Sequence, residues 1–223
     1  MDGTGMLISP GRRFIFFHGA KCAGTSVRAA LAKYAEEPNR FKIDRPSKEY
    51  QGKVNPTYER WRISMLHTTA QTAKRELPAA IYNTYFKFGF VRNPWDWQVS
   101  MYHFILSEKE HVRHSLVKTM AGFEEYLEWI IATKKPYPRG AAKFQKDMYV
   151  DAENNVIVDF IGRYETLTED FLLICRRLNI QEAVPHLNRS THRDYRAYYN
   201  QRTKQLVCRH FSEDIEKFGY TFE

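Results

Sequence analysis

His18-Gly19-Ala20-Lys21-Cys22-Ala23-Gly24-Thr25-Ser26 follows the apolar run Phe14-Ile15-Phe16-Phe17 and precedes a segment with Val27, Ala30, Leu31 and Tyr34 at helical spacing. The order predicts a buried strand at 14–17, a glycine-bracketed loop, and a helix from Ser26 to Tyr34. Gly19, Gly24 and Ser26 fall at the spacing G-x-x-x-x-G-x-S, which suits a loop whose backbone N–H groups wrap an anion at a helix N-terminus. A nucleoside-triphosphate loop places Lys immediately before the Ser. Here Thr25 stands there and the lysine is Lys21. The hydroxyls of Thr25 and Ser26 can still donate to a phosphate, and Lys21 can supply positive charge without a metal ion.

A second strand-to-helix junction lies downstream. Tyr85 to Val91 reads as a central strand, and Asn93-Pro94 as an N-cap followed by proline at the first helical position. Trp95, Val99, Tyr102 and Leu106 mark one face of the helix, and Asp96 suits its positive end. Arg92 ends the strand at that helix start, and Ser100 lies two turns along. A planar guanidinium and a hydroxyl suit one phosphate. Further helices are expected at Thr69–Leu77, Phe123–Ile131, after a capping box of Thr166 and Glu169, and over 202–217 up to Gly219. Strands are expected at 156–161 and, weakly, at 63–66. Strand and helix alternate, so the fold class is α/β, with a central, mainly parallel sheet flanked by helices. One domain spanning 1–223 is expected, with mobile insertions at 36–62 and 107–150.

The two junctions resemble the motifs with which sulfotransferases bind 3′-phosphoadenosine 5′-phosphosulfate (PAPS). That family's first motif is similar to P-K-x-G-G-T-S and its second to V-R-N-P-W-D-R-x-V-S-x-Y; this chain has Ala20 to Ser26 and Val91 to Tyr102. The resemblance extends to Val158–Glu165, His186–Ser190 and Phe218–Tyr220, which are similar to the carbohydrate branch. Ala20, Cys22 and Ala23 depart from the first motif, and Trp97 stands where an Arg is usual. The resemblance implies a P-loop-like fold and in-line sulfuryl transfer to a hydroxyl, leaving 3′-phosphoadenosine 5′-phosphate (PAP), with no metal required. It implies Arg92 and Ser100 on the 3′-phosphate and Lys21, Cys22, Ala23, Gly24, Thr25 and Ser26 on the 5′-phosphosulfate. Arg163 and Arg193 are further candidates. Lys21 would act on the bridging oxygen. His67 is the expected base, with His18 and Glu165 as alternatives.

Composition bounds the rest. The 34 Lys and Arg against 26 Asp and Glu give a net charge of +8, which fits an anionic partner of several kinds. No apolar run approaches the ~18 residues of a membrane span, and the start of the chain lacks a signal-peptide pattern. Cys22, Cys175 and Cys208 form neither a disulfide framework nor a zinc spacing, so a cytoplasmic setting is expected. A phosphotransferase is the alternative enzyme. Tyr195, Tyr198 and Tyr199, with Arg189, Arg193, Arg196 and Arg202, also fit an aromatic and basic nucleic-acid surface, although no nucleic-acid partner is expected. The acceptor is expected to be a small molecule or glycan. The basic stretch from Lys134 to Lys146 suggests that it is anionic.

Overall fold

The structure is a computed structural model that describes residues 6–36, 68–137, 141–185 and 192–223. Strand β1 (Leu7–Ser9) runs antiparallel to β2 (Phe14–Phe17), whose four apolar side chains are all buried. Parallel pairing continues through β3 (Phe86–Val91) to β4 (Phe160–Arg163), in the order β1-β2-β3-β4. Parallel neighbours need crossovers. The first contains α1 (Gly24–Leu31), α2 (Ala70–Glu76) and α3 (Ala79–Thr84). The second contains α4 (Pro94–Ser107), α5 (His114–Lys118), α6 (Phe123–Ala132) and a 3-10 turn at Gln145–Met148. After β4 come α7 (Leu167–Leu178), α8 (Gln201–His210) and α9 (Ser212–Phe218). The mainly parallel α/β architecture expected from the sequence is what forms.

Side chains alternate along strands, so Phe14 and Phe16 share a face with their register partners Phe86 and Phe88. Their rings meet at centroid distances of 5.5 to 5.8 Å. On the other face Gly89 leaves a slot that Tyr149 fills. A Cβ on Gly89 would lie 2.4 Å from that ring, and the Tyr149 hydroxyl donates to the Phe90 carbonyl at 2.8 Å. The carboxyl ends of β2, β3 and β4 thus deliver His18, Arg92 and Tyr164 to one edge of the sheet, where open α/β folds form their sites.

Several expectations shift. The strand expected at 156–161 begins only at Phe160, because the Asp159 side chain takes the Lys87 N–H at 2.7 Å that a ladder carbonyl would otherwise accept. Val156 instead bridges Val150. Thr166 caps nothing; its hydroxyl donates to Asp170 at 2.9 Å, so the capping box does not form. The helix expected over 202–217 breaks at Phe211, which is thereby buried, and Gly219 ends α9 in the left-handed region at φ 62°. Among the described residues of 107–150, expected as a mobile insertion, Val117, Phe123, Tyr126, Leu127, Ile130 and Tyr149 are buried in the core. The helices of this segment carry apolar faces that cover α4. The weak strand at 63–66 lies outside the described residues, as does 37–62.

Gly89→Ala should cost about 1–3 kcal/mol by forcing Tyr149 from its slot. Gly11→Ala, with nothing within 4 Å of the added carbon, should stay within about 0.5 kcal/mol of wild type. Urea unfolding of the two variants checks this; equal midpoints would rule out the slot.

Candidate active site

The loop leaving β2 is shaped by two non-glycine residues in the left-handed region, Lys21 at φ 59° and Ala23 at φ 60°. That backbone is uncommon outside glycine and carries local strain. It lets α1 start at Gly24 with no side-chain cap and no acidic residue in its first turn. The positive end of α1 therefore faces the loop without a built-in anion. Gly24 is required by contact: a Cβ there would lie 2.3 Å from the His18 ring. His18 thus packs across the helix start. Ser26 is buried and Thr25 half-buried. The Lys21 ammonium lies 4.6 Å from the centre of the Phe104 ring. Burial, then the Arg92 charge, pushes its pKa below the ordinary lysine value, while Glu108 pulls the other way.

Cys22 turns inward. Its one S–H proton lies within reach of both the Ala20 carbonyl at 3.3 Å and Gln145 Oε1 at 3.2 Å, and burial raises its pKa far above that of a free cysteine. Burial thus disfavours the thiolate at this position. The sequence placed Cys22 among the anion-binding residues, but its side chain braces the loop from behind and its N–H bonds the Gly19 carbonyl at 3.4 Å.

Arg92, just ahead of α4, and Asp96 and Ser100 on it follow one another at intervals of four. Arg92 is only 3% exposed. Its Nε donates to Asp96 Oδ2 at 2.7 Å, its Nη1 donates to the Lys21 carbonyl at 3.3 Å, and its guanidinium stands 4.1 Å from the Tyr164 ring centre. Asn93 caps α4 by accepting the Trp95 N–H at 3.1 Å, as its sequence position predicts. Trp97, the departure from the second motif, is buried edge-on to Tyr137 and donates its indole N–H to the Ala20 carbonyl at 2.7 Å. The second junction therefore grips the first loop at two successive carbonyls.

The family model described as the sulfotransferase family matches residues 4–221. The chain belongs to the sulfotransferase family. It is a transferase with the P-loop-like α/β fold of that family. An uncharacterized protein of Archaeoglobus fulgidus is 27% identical to this sulfotransferase over 125 residues, covering 52% of this chain and 87% of its own.

Other expected residues of the sulfotransferase fall unevenly around this edge. Ser100 is buried on α4. Arg163, paired in register with Val91, donates to the Phe218 carbonyl at the end of α9 at 2.5 Å. Glu165 accepts the Asn93 N–H at 2.6 Å and the Tyr220 hydroxyl at 3.0 Å, so it positions the Arg92–Asn93 corner. Arg193 is exposed, and neighbouring Asp194 pairs with Arg196 instead. His67 lies outside the described residues, as does 186–191. Among the described residues, no three His, Cys, Asp or Glu side chains could together hold a metal ion, and no helix is long and apolar enough to cross a membrane.

The basic and aromatic features are largely engaged internally. Lys143 donates to the carbonyls of Ile131 and Thr133 at the end of α6, both at 3.0 Å, and Lys146 pairs with Glu213 at 3.1 Å. Arg202 pairs with Glu124 and Glu128, and Tyr199 donates to the Trp95 carbonyl at 2.8 Å. Tyr198 and Tyr199 pack on Phe123.

Two further residues at the back of the loop escaped the sequence reading. Gln145 is 5% exposed and Asp214 is 1% exposed. Asp214 accepts the N–H groups of Gln145 at 2.9 Å and Lys146 at 2.8 Å. Burial pushes its carboxyl from the ordinary 3.8 up to about 6, against the pull of those two amides. A carboxyl whose folded pKa is raised stabilises the fold while protonated. That contribution is complete below the unfolded value of 3.8 and is lost as pH rises through about 6. The difference corresponds to about 3 kcal/mol. Stability of wild type relative to Asp214→Asn should therefore fall by roughly that amount between pH 4 and pH 7. Denaturant unfolding across this range checks it; a pH-independent difference would falsify the assignment.

Proposed function

We propose that this sulfotransferase moves a sulfuryl group from PAPS to a hydroxyl of a carbohydrate acceptor, either a small molecule or a glycan. The observation that carries the reading is the Arg92 to Lys21 carbonyl contact at 3.3 Å. It joins the uncapped start of α1 to the buried guanidinium of the second junction, as a ligand with separated anionic groups demands. On this reading Arg92 and Ser100 receive the 3′-phosphate. The backbone of 23–26, the hydroxyls of Thr25 and Ser26, and Lys21 receive the 5′-phosphosulfate. Arg163 and Arg193 lie at the margin.

The acceptor oxygen attacks sulfur in line. A new sulfur–oxygen bond forms while the bond from sulfur to the bridging oxygen breaks, and the 5′-phosphate departs as part of PAP. The acceptor proton passes to the base, assigned to His67. His18 is the less suited alternative because its ring is packed over Gly24. Lys21 opposes the negative charge that grows on the bridging oxygen, an interaction strongest in the transition state. Internal pairing of Lys143 and Lys146 leaves Lys134 and Lys135, both exposed, as the described cations of the basic stretch for an anionic acceptor.

PAP should raise the melting temperature more than ATP with Mg²⁺ does, as a ligand of the native state must. The reverse order in thermal unfolding would replace this reading with phosphotransfer. In turnover assays with PAPS, Lys21→Ala and His67→Ala should each lower kcat by about 100-fold or more. A His67→Ala variant with near wild-type kcat would remove it from the mechanism.

A further inference from the structure

The back of the phosphate loop contains one amide that touches both junctions. Gln145 Oε1 accepts the Arg92 N–H at 2.8 Å and the Cys22 thiol at 3.2 Å. Its Nε2 donates to the Arg92 carbonyl at 2.8 Å. The side chain therefore pairs with the Arg92 main chain on both sides, as a neighbouring strand residue would, at the point where β3 ends. The same oxygen holds the loop through Cys22. Gln145 is in turn fixed by its own main chain, since both oxygens of Asp214 are engaged by the N–H groups of residues 145 and 146. Every group in this chain of contacts is buried or nearly so, where an unmatched polar atom is costly.

We infer that Gln145, held by Asp214 of α9, is the positioning residue that sets the distance between the Lys21 loop and the Arg92 corner, and so tunes affinity for the sulfate donor. This rests on the proposed donor reading. Both residues are buried. Arg92 can keep its place without Gln145 only by leaving a buried N–H and carbonyl unpaired, or by shifting toward water, and Cys22 then keeps only its contact with the Ala20 carbonyl. A shift of either junction changes the span between the two anion-binding groups, to which a ligand with two linked phosphates responds.

The test compares wild type with Gln145→Met, which keeps length and apolar bulk but removes all three side-chain bonds, and with Asp214→Asn, which leaves one backbone amide facing a donor. Calorimetric titration with PAP should show Kd raised about tenfold or more for Gln145→Met and several-fold for Asp214→Asn. With the folded fraction normalised by active-site titration, KM for PAPS should rise while KM for the acceptor and kcat at saturating donor change less than threefold. Loss of stability alone would lower the active fraction and leave the donor KM unmoved. Amide hydrogen exchange should quicken in 19–23 and 91–93 in both variants. If Gln145→Met does not fold, the same donor-specific change in Asp214→Asn decides the matter. PAP binding within twofold of wild type by the folded variants would overturn the positioning role and leave the donor reading intact. Failure of wild type itself to bind PAP would overturn both.

Discussion

Arg92 is a cation removed from water, and the arrangement around it determines the geometry of this edge of the sheet. A buried charge costs several kcal/mol unless it is paired and hydrogen-bonded. Here the compensation comes from three separate elements. Asp96 supplies a carboxylate from α4, Lys21 supplies a carbonyl from the loop, and Tyr164 supplies a ring face beyond β4. Each of these has its own requirement. Asp96 reaches Arg92 only if α4 starts at Pro94, which the Asn93 cap secures. The Lys21 carbonyl points correctly because Lys21 is left-handed. Tyr164 is held by its N–H to the Val91 carbonyl at 2.7 Å. Moving any one of them exposes or strands the guanidinium.

The parts of this arrangement that depend on neighbouring residues were readable in the sequence. Phe14–Phe17 has too little polarity to be anything but a buried strand, and Asn93-Pro94-Trp95-Asp96 specifies a helix start by capping chemistry alone. The order strand, loop, helix, repeated at 14–31 and 86–107, was enough for a parallel α/β sheet. Local signals failed where a distant group competed for the same atom. Asp159 took a ladder N–H from Lys87, and Asp170 took the Thr166 hydroxyl from its expected cap. Strand β1 has only three residues, Leu7–Ser9, too few for a periodicity to show.

The site's rear wall was invisible for the same reason. Trp97 grips a carbonyl 77 positions earlier, Gln145 meets Cys22 across 123 positions, and Asp214 meets Gln145 across 69. Nothing in the spacing of single residues encodes such contacts. The Trp97 departure could be noticed but not interpreted, because an indole in place of a guanidinium reads as lost charge. In the fold it is a donor aimed at the loop. The residues that match the family's motifs follow one another along the two junctions, whereas the residues that brace them come from 97, 145, 149 and 214, where sequence offers a tryptophan, a glutamine, a tyrosine and an aspartate like many others.

Internal pairing of cations also narrows what the basic balance of the chain can mean. Much of the described positive charge outside the site is already committed: Lys143 ends a helix, while Lys146, Arg196 and Arg202 meet carboxylates. Lys21 and Arg92 differ in kind. They lie close enough for Arg92 to depress the Lys21 pKa, and burial works in the same direction, so the protein holds two mutually repelling cations beside an uncapped helix start. Asp96 offsets one of them. A ligand carrying a single negative charge relieves either Lys21 or the helix end, but not both along with the residual field of Arg92. A ligand with anionic groups at two separated points offsets all three and raises the Lys21 pKa back toward the ordinary lysine value. On the proposed donor reading, the two separated anionic groups of the donor would meet these cations and the helix start together, and the contacts behind the loop would hold that spacing.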